Sequence, residues 1–182
     1  MLYKRQDIEV MAPVGSFESL AAAVQAKADS VYFGIEQLNM RAKSSNNFTT
    51  EDLKEIVRIC NENSIRSYLT VNTIIYDHDI NLMKQILDTA KASGLTAIIA
   101  SDQAVMNYAH SIGLEVHIST QMNVSNIETV KFYANFADVM VLARELSLKQ
   151  VKHITESIHK EQIKGPSGNL IQIEIFAHGA LC

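Results

Sequence analysis

Residues 114–121 read Leu114-Glu115-Val116-His117-Ile118-Ser119-Thr120-Gln121, and they separate an open sheet from a barrel. Along an extended strand, alternate side chains point to opposite faces. One face of this run is Leu114, Val116 and Ile118, and the other is Glu115, His117, Ser119 and Gln121. Ile171 to His178 repeats the pattern, with Ile171, Ile173 and Ile175 opposed to Gln172, Glu174, Phe176 and His178. Arg66 to Asn72 sets Ser67, Leu69 and Val71 against Arg66, Tyr68, Thr70 and Asn72. A strand covered by helices on both faces is apolar on both, whereas a barrel strand has an outer face under helices and an inner face free to be polar. The alternation therefore predicts a barrel.

Short β-rich runs alternate with helical patterns along the whole chain. Strands are expected at Ile8 to Ala12, Ser30 to Gly34, Arg66 to Asn72, Ala97 to Ala100, Leu114 to Ser119, Asp138 to Ala143 and Ile171 to Phe176. Helices fall between them, beginning with Phe17 to Lys27. They are marked by apolar spacing, as in Leu53, Ile56, Val57 and Cys60, and by caps such as Ser125 with Glu128 and Ser147 with Gln150. Parallel neighbours need a crossover, which the helices supply. The expected fold is α/β, an incomplete TIM-like (β/α) barrel of about seven parallel strands with six intervening helices. Closed barrels have eight strands and usually about 250 residues. Residues 1–182 thus read as one N-terminal barrel domain, cut short at its C-terminal end, with the final strand expected beyond Cys182. Only Gln162 to Asn169, with Gly165, Pro166 and Gly168, reads as a loose, exposed loop.

Composition narrows the class. With 182 residues, 47% of them apolar, the chain can bury a substantial core. No apolar run approaches the roughly 20 residues that span a bilayer, and the N-terminus has no signal-peptide block, so no membrane association and a cytoplasmic location are expected. Cys60 and Cys182 are too few and too far apart for a disulfide framework. A net charge of -4 argues against broad nonspecific nucleic-acid binding while allowing a local basic groove. The cation-rich stretch Arg144 to Lys164 also carries Glu145, Glu156 and Glu161, and reads as a solvated helix face.

Active sites of such barrels sit at the C-terminal ends of the strands. Those ends supply Gly34 with nearby Asn39 and Arg41, then Asn72, Ser101 and Asp102, Gln121, Arg144 with Glu145, and His178. From this set and the inner faces, His178, Glu174, Gln121 and Asn72 are the catalytic candidates, and Arg144, Arg41, His117 and Asp102 the substrate-binding ones. Buried without partners, Glu174, His117, Arg144 and His178 would each cost several kcal/mol, so they are expected to pair with one another or with a ligand. A satisfied structural network is the competing explanation. Arg144 is placed at the mouth by its pleat parity with Met140 and Leu142. Asp102 also suits a helix start, Ser147 a helix cap and Cys60 an apolar stripe. Ser119 has no Gly-x-Ser-x-Gly elbow, and the chain lacks a His-Glu-x-x-His zinc helix, a phosphate-cradling glycine-lysine loop and a Gly-x-Gly-x-x-Gly turn. The ending Ala177-His178-Gly179-Ala180-Leu181-Cys182 brings an imidazole and a thiol close together, yet two side chains cannot hold a four-ligand cluster.

Six ordered blocks carry a resemblance: GSFESLAAAVQAKADSVYFG at 15–34, NNFTTEDL at 46–53, YLTVNT at 68–73, HISTQMNVSN at 117–126, VLARELSL at 141–148 and EIFAHGALC at 174–182. The chain resembles the collagenase-like peptidases grouped as family thirty-two of the peptidases of unknown catalytic type. It departs at Lys27 and Ser30, where relatives commonly carry glycine and alanine. The resemblance implies a barrel-like N-terminal domain and makes Cys182 the metal ligand, first of four cysteines holding an iron-sulfur cluster in the full-length protein. Relatives of this kind assist oxygen-independent hydroxylation of a tRNA wobble uridine or a ribosomal cytidine, with prephenate as implied oxygen source, or of ubiquinone precursors. The implied partner is accordingly RNA (tRNA or rRNA), or a peptide if the family name describes the activity. In the first reading Arg144 grips an anionic donor or phosphate, and His178, Glu174 and Gln121 orient the reacting group. A collagenase-like hydrolase and a noncatalytic barrel binding a small anion or partner are the alternatives. An open barrel edge would expose strand and core surface, which predicts dimerisation.

Overall fold

In a computed structural model, residues 8–36, 38 and 48–178 are described. The strands are β1 (Met11–Pro13), β2 (Ser30–Phe33), β3 (Arg66–Val71), β4 (Ala97–Ala100), β5 (Glu115–Ile118), β6 (Val139–Val141) and β7 (Gln172–Glu174). The helices α1 (Phe17–Gln25), α2 (Thr50–Glu62), α3 (Ile80–Ala92), α4 (Gln103–Ser111), α5 (Ile127–Tyr133) and α6 (Leu148–Glu161) fall one between each successive pair. The sheet order is β1-β2-β3-β4-β5-β6-β7. Seven parallel strands with six intervening helices make the chain an incomplete (β/α) barrel, as the sequence predicts. Two compact units divide it, Met1–Ile98 and Ile99–Cys182.

Local chemistry explains where the helices start. Ser16 and Ser19 cap α1 reciprocally, Thr49 and Asp52 do the same for α2, and Ser147 and Gln150 for α6. Each box satisfies two backbone N–H groups that helix geometry leaves without a partner, an effect of about 1 kcal/mol. At α5 the cap is Asn126 rather than the expected Ser125: the Asn126 carboxamide oxygen accepts from the Thr129 N–H at 3.0 Å.

In the first unit, β2 pairs with β1 and β3 in parallel register, aligning Met11 with Ser30 and Arg66, and Pro13 with Tyr32 and Tyr68. Val31, Phe33 and Leu69 share the opposite face and are buried. The stripe Leu53, Ile56, Val57 and Cys60 of α2 is buried, as are Met83, Ile86, Leu87 and Ala90 of α3. On the Arg66 face, Arg66 and Tyr68 share one partner near the start of the strands. The Arg66 guanidinium meets Glu9 at 2.5 Å, and the buried Tyr68 hydroxyl donates to the other Glu9 oxygen at 2.7 Å. A buried phenol with a charged acceptor avoids the desolvation cost that an orphan hydroxyl would carry.

Lys27 and Ser30, where the sequence departs from the blocks it resembles, both lie in this unit. Lys27 has φ of 56°, the left-handed region that follows a helix end and favours glycine. Ser30 is fully buried, and its hydroxyl has no partner among the described residues. We predict that Lys27→Gly and Ser30→Ala each stabilise the fold by about 1 kcal/mol, relieving backbone strain in one case and an unsatisfied hydroxyl in the other. Denaturant midpoints of the single variants at or below wild type would refute this.

In the second unit, the register aligns His117 with Val139 and Gln172, and Ile118 with Met140 and Ile173. Ile118 and Met140 are fully buried, and Ile154 and Ile158 of α6 are buried as well. This register corrects the placement of Arg144 by parity. Met140 and Leu142 belong to the apolar face, so alternation would send Arg144 under the helices, whereas it stands exposed in the turn after β6. The segment 162–169 is likewise exposed but is not loose. An antiparallel bridge joins Lys164 to Leu170, and the Asp138 carboxylate accepts from the Ser167 hydroxyl at 2.6 Å and the Ser167 N–H at 3.2 Å. A Cβ on Gly165 would lie 2.3 Å from the Asp138 carboxylate and 2.9 Å from the Ala137 carbonyl. Gly165→Ala should therefore cost about 1–3 kcal/mol by overpacking, read as a lower melting temperature with unchanged far-UV circular dichroism.

Candidate functional site

The C-terminal ends of β5, β6 and β7 are knitted together by backbone bonds. Leu142 N–H donates to the Glu174 carbonyl at 3.0 Å, and Ala143 N–H donates to the Val124 carbonyl at 2.9 Å. The Thr120 hydroxyl donates to the Leu142 carbonyl at 3.4 Å. These bonds hold the turn that carries Arg144 beside the residues following β7. The Arg144 guanidinium carbon lies 5.8 Å from the centre of the Phe176 ring, a cation–π contact. Phe176 remains 44% exposed and Arg144 is exposed, so both keep a free side. Glu174, two residues back along β7, is half-buried, and His178, two residues on, is exposed.

The sequence-derived candidates separate into distinct settings. Glu174, Arg144 and His178 belong to this strand-end group, but Arg144 and His178 are not buried as the polar-lumen reading expects. The ends of β7 and of the turn after β6 stand in solvent, where charged groups keep their hydration. Gln121 lies in a short 3₁₀ turn, Thr120–Met122, with its N–H donating to the Ser119 hydroxyl at 3.4 Å. His117 is buried, and its Nε2 is 3.1 Å from Glu115 Oε1, toward the start of β5 and away from the strand-end group. Asp102 caps α4, its carboxylate accepting from the Ala104 N–H at 2.8 Å. Asn72 follows β3 in the first unit and is half-buried. Arg41 and Cys182 lie outside the described residues. The residue that sequence reasoning passed over is Phe176. The sequence sets it two residues after Glu174, but β7 ends at Glu174, so its meeting with Arg144 depends on the turns that follow the strands.

A parallel β/α half-barrel with charged and aromatic groups at the ends of its strands belongs to the barrel class whose sites stand on βα loops. The model for peptidase family U32 matches residues 15–182, and the chain belongs to that family. It is 61% identical over 176 residues to a protein named collagenase from Porphyromonas gingivalis, covering 97% of this chain and 42% of that protein. It is 29% identical over 177 residues to tRNA hydroxylation protein P1 of Bacillus subtilis, covering 96% and 39%. The chain thus spans about two fifths of the length of these curated relatives. The structure of the U32 peptidase Mk0906 superposes with a TM-score of 0.70 at 13% identity, covering 99% of this chain and 97% of that one, a likeness of fold.

An iron-sulfur cluster requires several thiolate ligands. Cys60 does not suit that role: it is fully buried in the apolar stripe of α2, and burial pushes its thiol up to about 11. No group of three or more His, Cys, Asp or Glu among the described residues is arranged to hold a metal ion. The described residues therefore do not form a cluster site by themselves. Nor is any described helix long and apolar enough to cross a membrane. For Cys60, we expect no alkylation by iodoacetamide near pH 8 in the folded protein and full reaction in denaturant. Because the folded thiol holds its proton to higher pH than the unfolded one, its contribution to stability is complete below about pH 9 and is lost as pH rises toward about 11. Equal alkylation in both states would refute the burial.

Proposed function

We propose that this barrel region is the substrate-binding part of a longer protein that hydroxylates RNA, tRNA or rRNA, without molecular oxygen. The observation that carries the reading is the exposed Arg144–Phe176 pair at the strand ends. An exposed ring offers a stacking face to an unpaired base, and a guanidinium beside it can take a phosphate or the carboxylate of an anionic oxygen donor of the prephenate kind. In this mechanism Arg144 holds the anion, Phe176 stacks the base, and Glu174, His178 and Gln121 orient the reacting edge. Cys182, with further cysteines of the full-length protein, would ligate an iron-sulfur cluster, which would relay the two electrons that leave the base as its C–H becomes C–OH toward the oxygen donor that is reduced. The similarity to tRNA hydroxylation protein P1 supports this reading.

A second reading, a collagenase-like peptidase, is favoured by the 61% identity to a protein of that name. One experiment separates them. Nucleosides from tRNA and rRNA of cells lacking the gene are compared by mass spectrometry with those from cells complemented by the full-length protein, its Arg144→Ala variant and its Phe176→Ala variant. We expect a pyrimidine heavier by one oxygen atom to vanish on deletion, return with wild type, and fall about tenfold or more with either variant. An unchanged nucleoside profile, together with gelatin cleavage that persists through purification, would reject hydroxylation in favour of hydrolysis.

A further inference from the structure

The stretch 144–164 is net positive in a chain whose formal net charge is -4, with Arg144, Lys149, Lys152, Lys160 and Lys164 against Glu145, Glu156 and Glu161. Within α6, positions 149, 152, 153, 156 and 160 fall on one side of a 3.6-residue helix, opposite the buried Ile154 and Ile158. The carboxylates of this helix are already engaged. Glu161 meets Lys131 at 2.8 Å, and Glu156 meets Lys152 at 3.7 Å. Lys131 also holds Glu128 at 2.8 Å, and these two carboxylates push its ammonium up to about 12. Among the described residues, no ion pair takes up Lys149, Lys160 or Lys164. Both acids of the helix are thus engaged, while Lys149 and Lys160 stand on its outward side about 16 Å apart along the axis and Lys164 is exposed in the segment after it.

We infer that this outer face of α6 is a second contact surface for the substrate, gripping the phosphate backbone of RNA through Lys149, Lys160 and Lys164, separate from the strand-end pair Arg144 and Phe176. The inference rests on the RNA reading above. Charge complementarity points to a polyanion. Apart from Leu148 at its first position, the exposed residues of α6 are all polar or charged, unlike the continuous apolar face that seats a helix in a lipid interface. Phosphate contacts of this kind position a nucleic acid without reading its sequence, and each releases counterions.

The test measures binding of unmodified tRNA to the full-length protein by fluorescence anisotropy across a salt series. Wild type is compared with the triple variant Lys149→Gln, Lys160→Gln, Lys164→Gln and with Lys54→Gln on α2 as a charge control. We expect the triple variant to bind more weakly for every RNA tried, and the slope of log affinity against log salt to become shallower by about 2 to 3, with the control unchanged. If wild type binds RNA and the triple variant keeps the same slope, the α6 surface is refuted while the hydroxylation reading stands. If wild type binds no RNA even at low salt, both fall. Loss of binding to vesicles containing phosphatidylserine, with RNA binding intact, would identify the face as a lipid contact and overturn the assignment.

Discussion

A parallel strand cannot turn straight back beside its predecessor; the chain must cross the sheet, and the crossover helix must bury its apolar stripe on the strands beneath it. That constraint divides the strand faces. Val31, Phe33 and Leu69, like Ile118 and Met140, form the apolar face and are almost wholly excluded from solvent. Within each unit the other strand face is where polar residues can stand, Arg66 and Tyr68 in the first and His117 and Glu174 in the second. Polar character there is permitted by topology before any function makes use of it.

Several of those groups find a local partner, although the buried hydroxyl of Ser30, beside Arg66, does not among the described residues. Tyr68 donates to Glu9, which also meets Arg66, and His117 turns to Glu115 on its own strand. All of these pairings lie toward the beginnings of the strands, the end of such a fold that serves stability. At the opposite end of the second unit Arg144 and His178 stand exposed, and the contact of Arg144 with Phe176 is of a kind that can be exchanged for a ligand. The proposed site rests on that exposed strand-end contact.

The segment after α6 shows how loop chemistry supports that geometry. Asp138, immediately before β6, takes two hydrogen bonds from Ser167, and Gln172 N–H donates to the Asp138 carbonyl at 2.9 Å. Gly165 has no side chain because the Asp138 carboxylate occupies that space. A short edge strand such as β7 is held in register by these bonds at one end and by the Leu142 to Glu174 bond at the other. Arg144 and Phe176 therefore meet on a fixed frame.

The order of elements, the helix cap at Ser147, an acid at the start of the helix after Ser101 and the buried stripe around Cys60 were legible in the residues themselves, because hydrophobic period and capping act over three or four positions. Family membership was legible too, in six blocks along the chain. The destinations of the polar side chains were not. Alternation assigned Arg144 to the face of Met140 and Leu142, but it holds only while the strand lasts, and the turn after Val141 swings the guanidinium onto Phe176. Likewise the composition of 162–169 read as slack chain until Asp138, distant in sequence, bound it. Sequence determined which segments are strand or helix and which face of each is apolar, since those are local properties. Tertiary structure alone decided which charged groups are paired and which stand exposed, since that depends on register and on turns that bring distant residues together.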